Sequence, residues 1–138
     1  MAMTEADLDK WLKAYKKSWE AQDSSLFTSL FTEDCAYRDT PFVEPVPGPE
    51  FGAFWRALAK LQSDNHIEFE VLALVSDRAV VNWHAFSTRT ATAERREGDG
   101  IFVLTFAANG RCRDVREWQH WRLVGSGLEK RSFTWNKT

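Results

Sequence analysis

The feature that most constrains this chain is a change of hydrophobic period just after Asn65. Before it, apolar residues recur at helical spacing; after it, the pattern alternates as strands require. Upstream, Leu8, Trp11, Leu12, Tyr15 and Trp19 fall on one helical stripe, and Phe51, Phe54, Trp55, Leu58 and Leu61 fall on another. Downstream, Ile67, Phe69, Val71, Ala73 and Val75 alternate with Glu68, Glu70, Leu72 and Leu74. Helices first and long strands afterwards predict an α+β layout, with the helices covering one face of a twisted, antiparallel sheet.

Local signals place the elements. Thr4-Glu5-Ala6-Asp7 has the form of a capping box and opens a helix running to about Ala21, with Lys10, Lys13, Lys16 and Lys17 on its solvated side. Asp23 suits the cap of a shorter second helix in which Leu26, Phe27, Leu30 and Phe31 point inward. A short strand, Cys35 to Asp39, follows. Pro41, Pro45, Pro47 and Pro49 then turn the chain around a corner, and Gly48-Pro49-Glu50 opens a third helix that Ser63-Asp64-Asn65 ends. Beyond the strand from Ile67 to Val75, Ser76-Asp77-Arg78 turns into a strand from Ala79 to about Arg89. The polar segment Thr90 to Gly100 reads as a loop, and Ile101 to Ala107 as the next strand. Asn109-Gly110 is the strongest hairpin signal. The last strand spans Arg111 to about Val124, where Gly125-Ser126-Gly127 breaks it.

Composition narrows the function. A chain of 138 residues with 43% hydrophobic residues is expected to form a single domain, residues 1–138, with a sizeable core. A net charge of -2 with interspersed Lys and Arg gives no nucleic-acid footprint. No apolar run approaches the roughly 18 residues of a membrane span, and the acidic N-terminus lacks a signal-peptide layout. Cys35 and Cys112 are too few and too far apart in sequence for a disulfide framework or zinc site, so a cytoplasmic protein with no metal or cofactor is expected. Seven Trp among 14% aromatic residues exceed what the interior of so small a domain needs. Some of these rings are expected to line a ligand cavity or a subunit interface.

Several residues carry possible chemistry. Tyr37 and Asp39 are two apart and project to the same face of a strand that ends at a Pro-rich loop, which suggests the mouth of a pocket. Glu117 shares a strand face with Val115, Gln119 and Trp121, while His120 points the other way. His84 sits mid-strand and, facing inward with Asn82 and Phe86, would act with Asp39 as a base or donor. Trp83 and Trp118 are expected opposite the pocket side, on a sheet face that builds a homodimer.

The stretch Tyr15-Lys16-Lys17-Ser18-Trp19-Glu20-Ala21-Gln22-Asp23, followed by Leu30-Phe31-Thr32-Glu33-Asp34, resembles the nuclear transport factor 2-like superfamily and, within it, the SnoaL-like proteins. Ala107-Ala108-Asn109-Gly110-Arg111 and Arg116-Glu117-Trp118 are similar to the final hairpin of that superfamily. The resemblance implies a cone-shaped α+β barrel, with three N-terminal helices packed on a strongly curved, mostly antiparallel sheet. Compared with ketosteroid isomerases of this fold, Asp39 matches the proton-shuttling base, and Tyr15, eight residues before Asp23, matches the oxyanion donor; Phe102 stands where they have a second acid. Compared with limonene-type epoxide hydrolases, Tyr37-Arg38-Asp39-Thr40-Pro41 resembles their Tyr-x-Asn-x-Pro stretch, and Glu117 takes the place of their last-strand acid. Their middle-strand Arg-x-Asp pair falls near Asn82-Trp83-His84-Ala85, where neither partner is present.

The resemblance therefore implies a pocket for a small, largely hydrophobic molecule, lined by Trp19, Phe54, Trp55, Asn82, Phe86, Phe102 and Gln119. It implies cofactor-independent isomerisation, cyclisation or water addition, with Asp39 as principal base and Tyr15, Tyr37, His84 and Glu117 as donors or second acids. The missing members of each constellation favour the alternative, a non-catalytic ligand-binding or dimeric interaction domain.

Overall fold

The computed structural model describes residues 2–125. Thr4 caps helix α1 (Glu5–Ala21) reciprocally: its hydroxyl accepts the Asp7 N–H at 3.1 Å, and the Asp7 carboxylate accepts the Thr4 N–H at 3.3 Å. Leu8, Trp11, Leu12 and Tyr15 are buried, as the helical period requires. Lys16 departs from the expected solvated side. Its ammonium donates to the Ile67 carbonyl at 2.7 Å and pairs with Glu20 and Glu68, fastening α1 to the sheet. The helix ends at Gln22, in the left-handed region at φ 53°, whose side-chain amide donates to the carbonyls of Ala59 and Gln62.

Asp23 caps α2 (Ser24–Ser29) by accepting the Leu26 N–H at 3.1 Å. The helix stops earlier than its apolar spacing predicts, and Phe31 begins strand β1 (Phe31–Arg38). The reason is tertiary: the Leu30 carbonyl accepts both the Trp11 indole N–H and the Cys112 backbone N–H at 2.9 Å, so strand partners replace helical ones. Cys35 and Cys112, far apart in sequence, are buried free thiols, and burial, with the neighbouring Cys35 thiol adding to it, pushes the Cys112 thiol well up.

After one 3-10 turn at Gly48–Glu50 come α3 (Phe51–Lys60) and strand β2 (Gln62–Val75). Ser63-Asp64-Asn65 thus opens a strand instead of ending a helix; an irregularity between Ser63 and His66, with Asp64 at φ 51°, absorbs it. Strands β3 (Arg78–Arg89), β4 (Arg95–Phe106) and β5 (Cys112–Leu123) complete the sheet. Gly110, at φ 84°, turns β4 into β5 as the Asn109-Gly110 pair predicts. Of the expected break after β5, Gly125 turns at φ 74°, while Ser126 and Gly127 lie outside the described residues.

The segment Thr90 to Gly100 is not a loop throughout, because β4 starts at Arg95. Its glycines are strand residues with indoles lying against them. A Cβ at Gly98 would stand 2.7 Å from the Trp121 ring, and one at Gly100 would meet the Trp83 ring and the Trp118 carbonyl.

The five strands run in the order β1-β5-β4-β3-β2, antiparallel except for β1 alongside β5, and the sheet does not close on itself. The helices cover one face. In the core between them Trp11 meets Phe31 and Phe106, and Tyr15 meets Phe27, Phe69 and Phe102, all at 5.4–5.6 Å or, for Phe69, 5.7 Å between ring centres.

Candidate active site

The pairing register decides which residues face the helices. On β3 Ala79, Val81, Trp83, Ala85 and Ser87 are buried, whereas Asn82, His84 and Phe86 between them are half-buried on the outer face. From Val81 the register runs to Phe102 and on to Glu117; from Trp83 to Gly100 and Gln119; from Ala85 to Gly98 and Trp121. These residues and the helices enclose a cavity of about 410 Å³. Tyr15, Tyr37, Trp55, Phe102 and Glu117 form its buried inner part, and exposed Gln22, Leu61, Arg89 and Ala91 its rim.

Glu117 is the buried acid of this cavity, only 8% exposed. It has no salt bridge among the described residues. Burial pushes its carboxyl pKa well above the ordinary range, and the neighbouring charge of Asp39 pushes it further. The Trp83 indole N–H lies near enough to offset part of that shift. It falls short of a formed hydrogen bond and is left buried without a partner.

The phenols of Tyr15 and Tyr37 lie close to each other in the same place. Burial raises both pKa values far beyond the usual phenol range; the charge of Glu117 adds to the effect on Tyr15, and those of Tyr15 and Glu117 to that on Tyr37. Both therefore stay protonated and can donate.

Asp39 follows the last residue of β1, half-buried and on the cavity wall. Gln119 fixes this corner: its amide N–H donates to the Asp39 backbone carbonyl at 2.6 Å and reaches the Glu117 carboxyl at 3.4 Å. Its own carbonyl accepts the Trp121 indole N–H at 2.7 Å. Two carboxyls and two phenols thus converge on one apolar space, an arrangement suited to moving protons on a bound molecule.

The structure brings Asp39, Tyr15, Tyr37 and Glu117 together, with Trp19, Trp55, Phe102 and Gln119 on the cavity wall. Phe54 is not on the wall but packs behind Tyr37, with ring centres 6.0 Å apart. Asn82, His84 and Phe86 are corrected outright, because strand alternation turns them outward. His84 bonds Glu97 at 2.7 Å and meets the Phe86 ring; the Asn82 amide donates to the Asp99 carboxylate and the Gly100 carbonyl. Trp83 is corrected in the opposite direction, being inside and 3% exposed, while Trp118 stays on the outer face. Sequence reasoning put Trp121 on the face of Glu117 but missed Trp83 and Arg96 as cavity residues. Pairing β4 with β3 would have found them, but part of β4 reads as a loop.

Among the described residues no cluster of three or more His, Cys, Asp or Glu could hold a metal ion. No helix among them is long and apolar enough to cross a membrane.

A family model described as "SnoaL-like domain" matches residues 3–115. A search by sequence finds no match among proteins of curated function. Solved structures with the same NTF2-like architecture include an epoxide hydrolase from Mycobacterium tuberculosis of the limonene epoxide hydrolase-like type, 12% identical over 83% of this chain and 84% of that one, with a TM-score of 0.64. An NTF2-like protein of unknown function from Exiguobacterium is 16% identical over 80% of this chain and 98% of that one, at 0.67. A putative polyketide cyclase from Pseudomonas putida is 14% identical over 78% and 87%, at 0.69. At these identities the likeness concerns the fold.

Proposed function

The chain belongs to the SnoaL-like domain family, and from that premise we propose that it holds a small, largely hydrophobic molecule in its cavity and performs cofactor-independent acid–base chemistry on it. The observation that carries this reading is the buried Glu117 carboxyl beside Asp39 and two protonated phenols. Two carboxyls that repel each other divide the work. The more buried one keeps a proton to higher pH, and the more accessible one serves as base.

Asp39 is that base. Its carboxylate takes a proton from a carbon next to a carbonyl or activates a water. The developing negative charge on the oxygen is met by hydrogen bonds from Tyr15, Tyr37 or protonated Glu117. The proton then returns at another carbon for isomerisation; in cyclisation the enolate carbon bonds to a second carbonyl carbon of the same molecule, whose C=O π bond breaks and whose oxygen takes up the proton. Gln119, bonded to the Asp39 backbone, positions the base without joining the proton transfer.

The test is carbon-13 NMR titration of the Glu117 and Asp39 carboxyls, alongside native mass spectrometry of freshly purified protein. The expected result is a Glu117 carboxyl titrating above the ordinary range and a retained small molecule. Ordinary titration of both carboxyls would overturn the catalytic reading. A specific observation supports a second reading, non-catalytic ligand binding. Phe102 occupies the second-acid position of the isomerase comparison, and no Arg–Asp pair stands near Asn82 to Ala85.

A further inference from the structure

Among the described residues four arginines have carboxylate partners, whereas Arg56, Arg78, Arg111 and Arg116, away from the cavity wall, have no salt bridge. Arg38, Arg95, Arg113 and Arg122 each face a carboxylate, namely Asp114, Asp64, Asp77 and Glu97. Arg89 and Arg96, both on the cavity wall, have no such salt bridge among the described residues. Arg96 is held in place all the same. Its guanidinium lies 4.4 Å from the centre of the Trp121 ring, and its Nε is buried with no acceptor. The two guanidiniums are near enough that Arg89, after burial, lowers the Arg96 pKa, with Glu94 opposing it. A positive rim of this kind is unexpected on a chain whose net charge is -2.

The inner part of the cavity differs in character. Apart from the Asp39 carboxylate, its polar groups are donors that lack an acceptor or keep their protons: the unpartnered Trp83 N–H, the Tyr15 and Tyr37 phenols and the Glu117 carboxyl. Between the two ends lie aromatic rings, with the indoles of Trp121 and Trp83 covering Gly98 and Gly100. Because Arg96 reaches back to Trp121, which pairs with Gly98, and Glu117 pairs with Phe102, the ends stand about 13 Å apart along the strand at ~3.3 Å per residue.

Resting on the proposed reading of the site, we infer that its ligand is a flat, apolar carboxylic acid: the carboxylate sits on Arg96, with Arg89 beside it, and a neutral oxygen acceptor at the far end faces Trp83 and Glu117. A guanidinium stacked on an indole presents a fixed fork to a planar carboxylate, and the ligand supplies the acceptor that Nε lacks. A flat apolar body crosses the middle against the Trp83 and Trp121 indoles that cover Gly100 and Gly98, and a carbonyl oxygen takes the inner N–H and O–H donors. The ligand is thereby oriented, with its reactive end inward and its charge at the rim.

The test uses 4′-acetylbiphenyl-4-carboxylate and the matching 4′-acetylbiphenyl-4-carboxamide, which differ only in the charged end. Affinities are read by quenching of Trp emission at low and high salt. The carboxylate is expected to bind the wild-type protein at least about tenfold more tightly than the amide, as for a charge-assisted hydrogen bond. The preference should shrink as salt rises and disappear in Arg96→Gln. Equal affinity of the two compounds for the wild-type protein overturns the inference while leaving the apolar cavity reading in place, and needs no variant to fold. A preference that survives Arg96→Gln overturns the assignment to Arg96. Binding of neither compound overturns the cavity reading, and the inference with it.

Discussion

Replacing Glu117 by Gln keeps the side chain's shape and removes its ionisation, so it isolates what the buried carboxyl does to stability. Burial and the charge of Asp39 both raise the Glu117 pKa in the folded chain. Between the ordinary glutamate range and that raised value, the folded protein holds a proton that the unfolded chain has released. Stability therefore falls as pH climbs through this window and levels off above it. Each tenfold difference in proton affinity is worth about 1.4 kcal/mol, which in a chain of this size moves Tm by roughly 4–6 °C. Glu117→Gln should thus raise Tm by several degrees more at pH 8 than at pH 3, where both states of the wild-type carboxyl are protonated. The Trp83 N–H and the Gln119 amide keep an oxygen nearby, and whatever the two N–H donors of the new amide cost applies equally at both pH values, so the difference between them isolates the ionisation. Differential scanning calorimetry at the two pH values reads the effect. In an Asp39→Asn background the gain should diminish without vanishing, because burial is the larger cause. An equal change at both pH values would refute the reasoning, since it would mean that the carboxyl is not held protonated by its surroundings.

Three further outcomes are expected. Asp39→Asn should cut turnover of any substrate by roughly 10²–10⁴-fold, the usual share of general base catalysis, with ligand affinity little changed; full turnover in the variant would remove Asp39 as base. Gly100→Val should destabilise the protein by about 1–3 kcal/mol in urea denaturation, since even one added carbon meets the Trp83 ring and the Trp118 carbonyl; an unchanged midpoint would show that the indole is free to move. The outer face of the sheet, with Trp118 still 37% exposed, should carry a homodimer, and light scattering giving a monomer mass at micromolar concentration would refute it.

Much of this was legible in the residues, and what was not has identifiable causes. Caps and turn residues are local, so Thr4, Asp23 and Asn109-Gly110 act in the structure as their chemistry dictates. The α+β order follows from hydrophobic period alone. Errors arise where a distant partner overrides a local rule. Phe31 continues a helical stripe yet starts a strand, because Trp11 and Cys112 claim the carbonyl before it. Gly98 and Gly100 read as loop residues because the indoles that require them belong to other strands. That second error propagated. With the first half of β4 taken for a loop, nothing tied β3 to β5 in register. His84 and Trp83 could not then be assigned to a face, and each was expected on the wrong one. Glu117 escaped the error, since the hairpin beside it sets its own alternation.

The register also explains why the candidate base and the candidate acid come from opposite ends of the chain. Strand β1 lies parallel to β5, and Tyr37 pairs with Val115. Asp39, just beyond the last paired residue of β1, therefore comes level with the stretch of β5 that carries Glu117 and Gln119. The Gln119 amide, bonded to the Asp39 backbone carbonyl and held at its other end by Trp121, pins the Asp39 backbone beside this stretch. Trp121 in turn supports Arg96 at the rim. One run of alternate residues on β5, from Glu117 through Gln119 to Trp121, thus sets the buried carboxyl at the inner end of the cavity, the placement of the Asp39 backbone, and the guanidinium at its mouth. A shift of one residue in this strand would turn all three away from the cavity together.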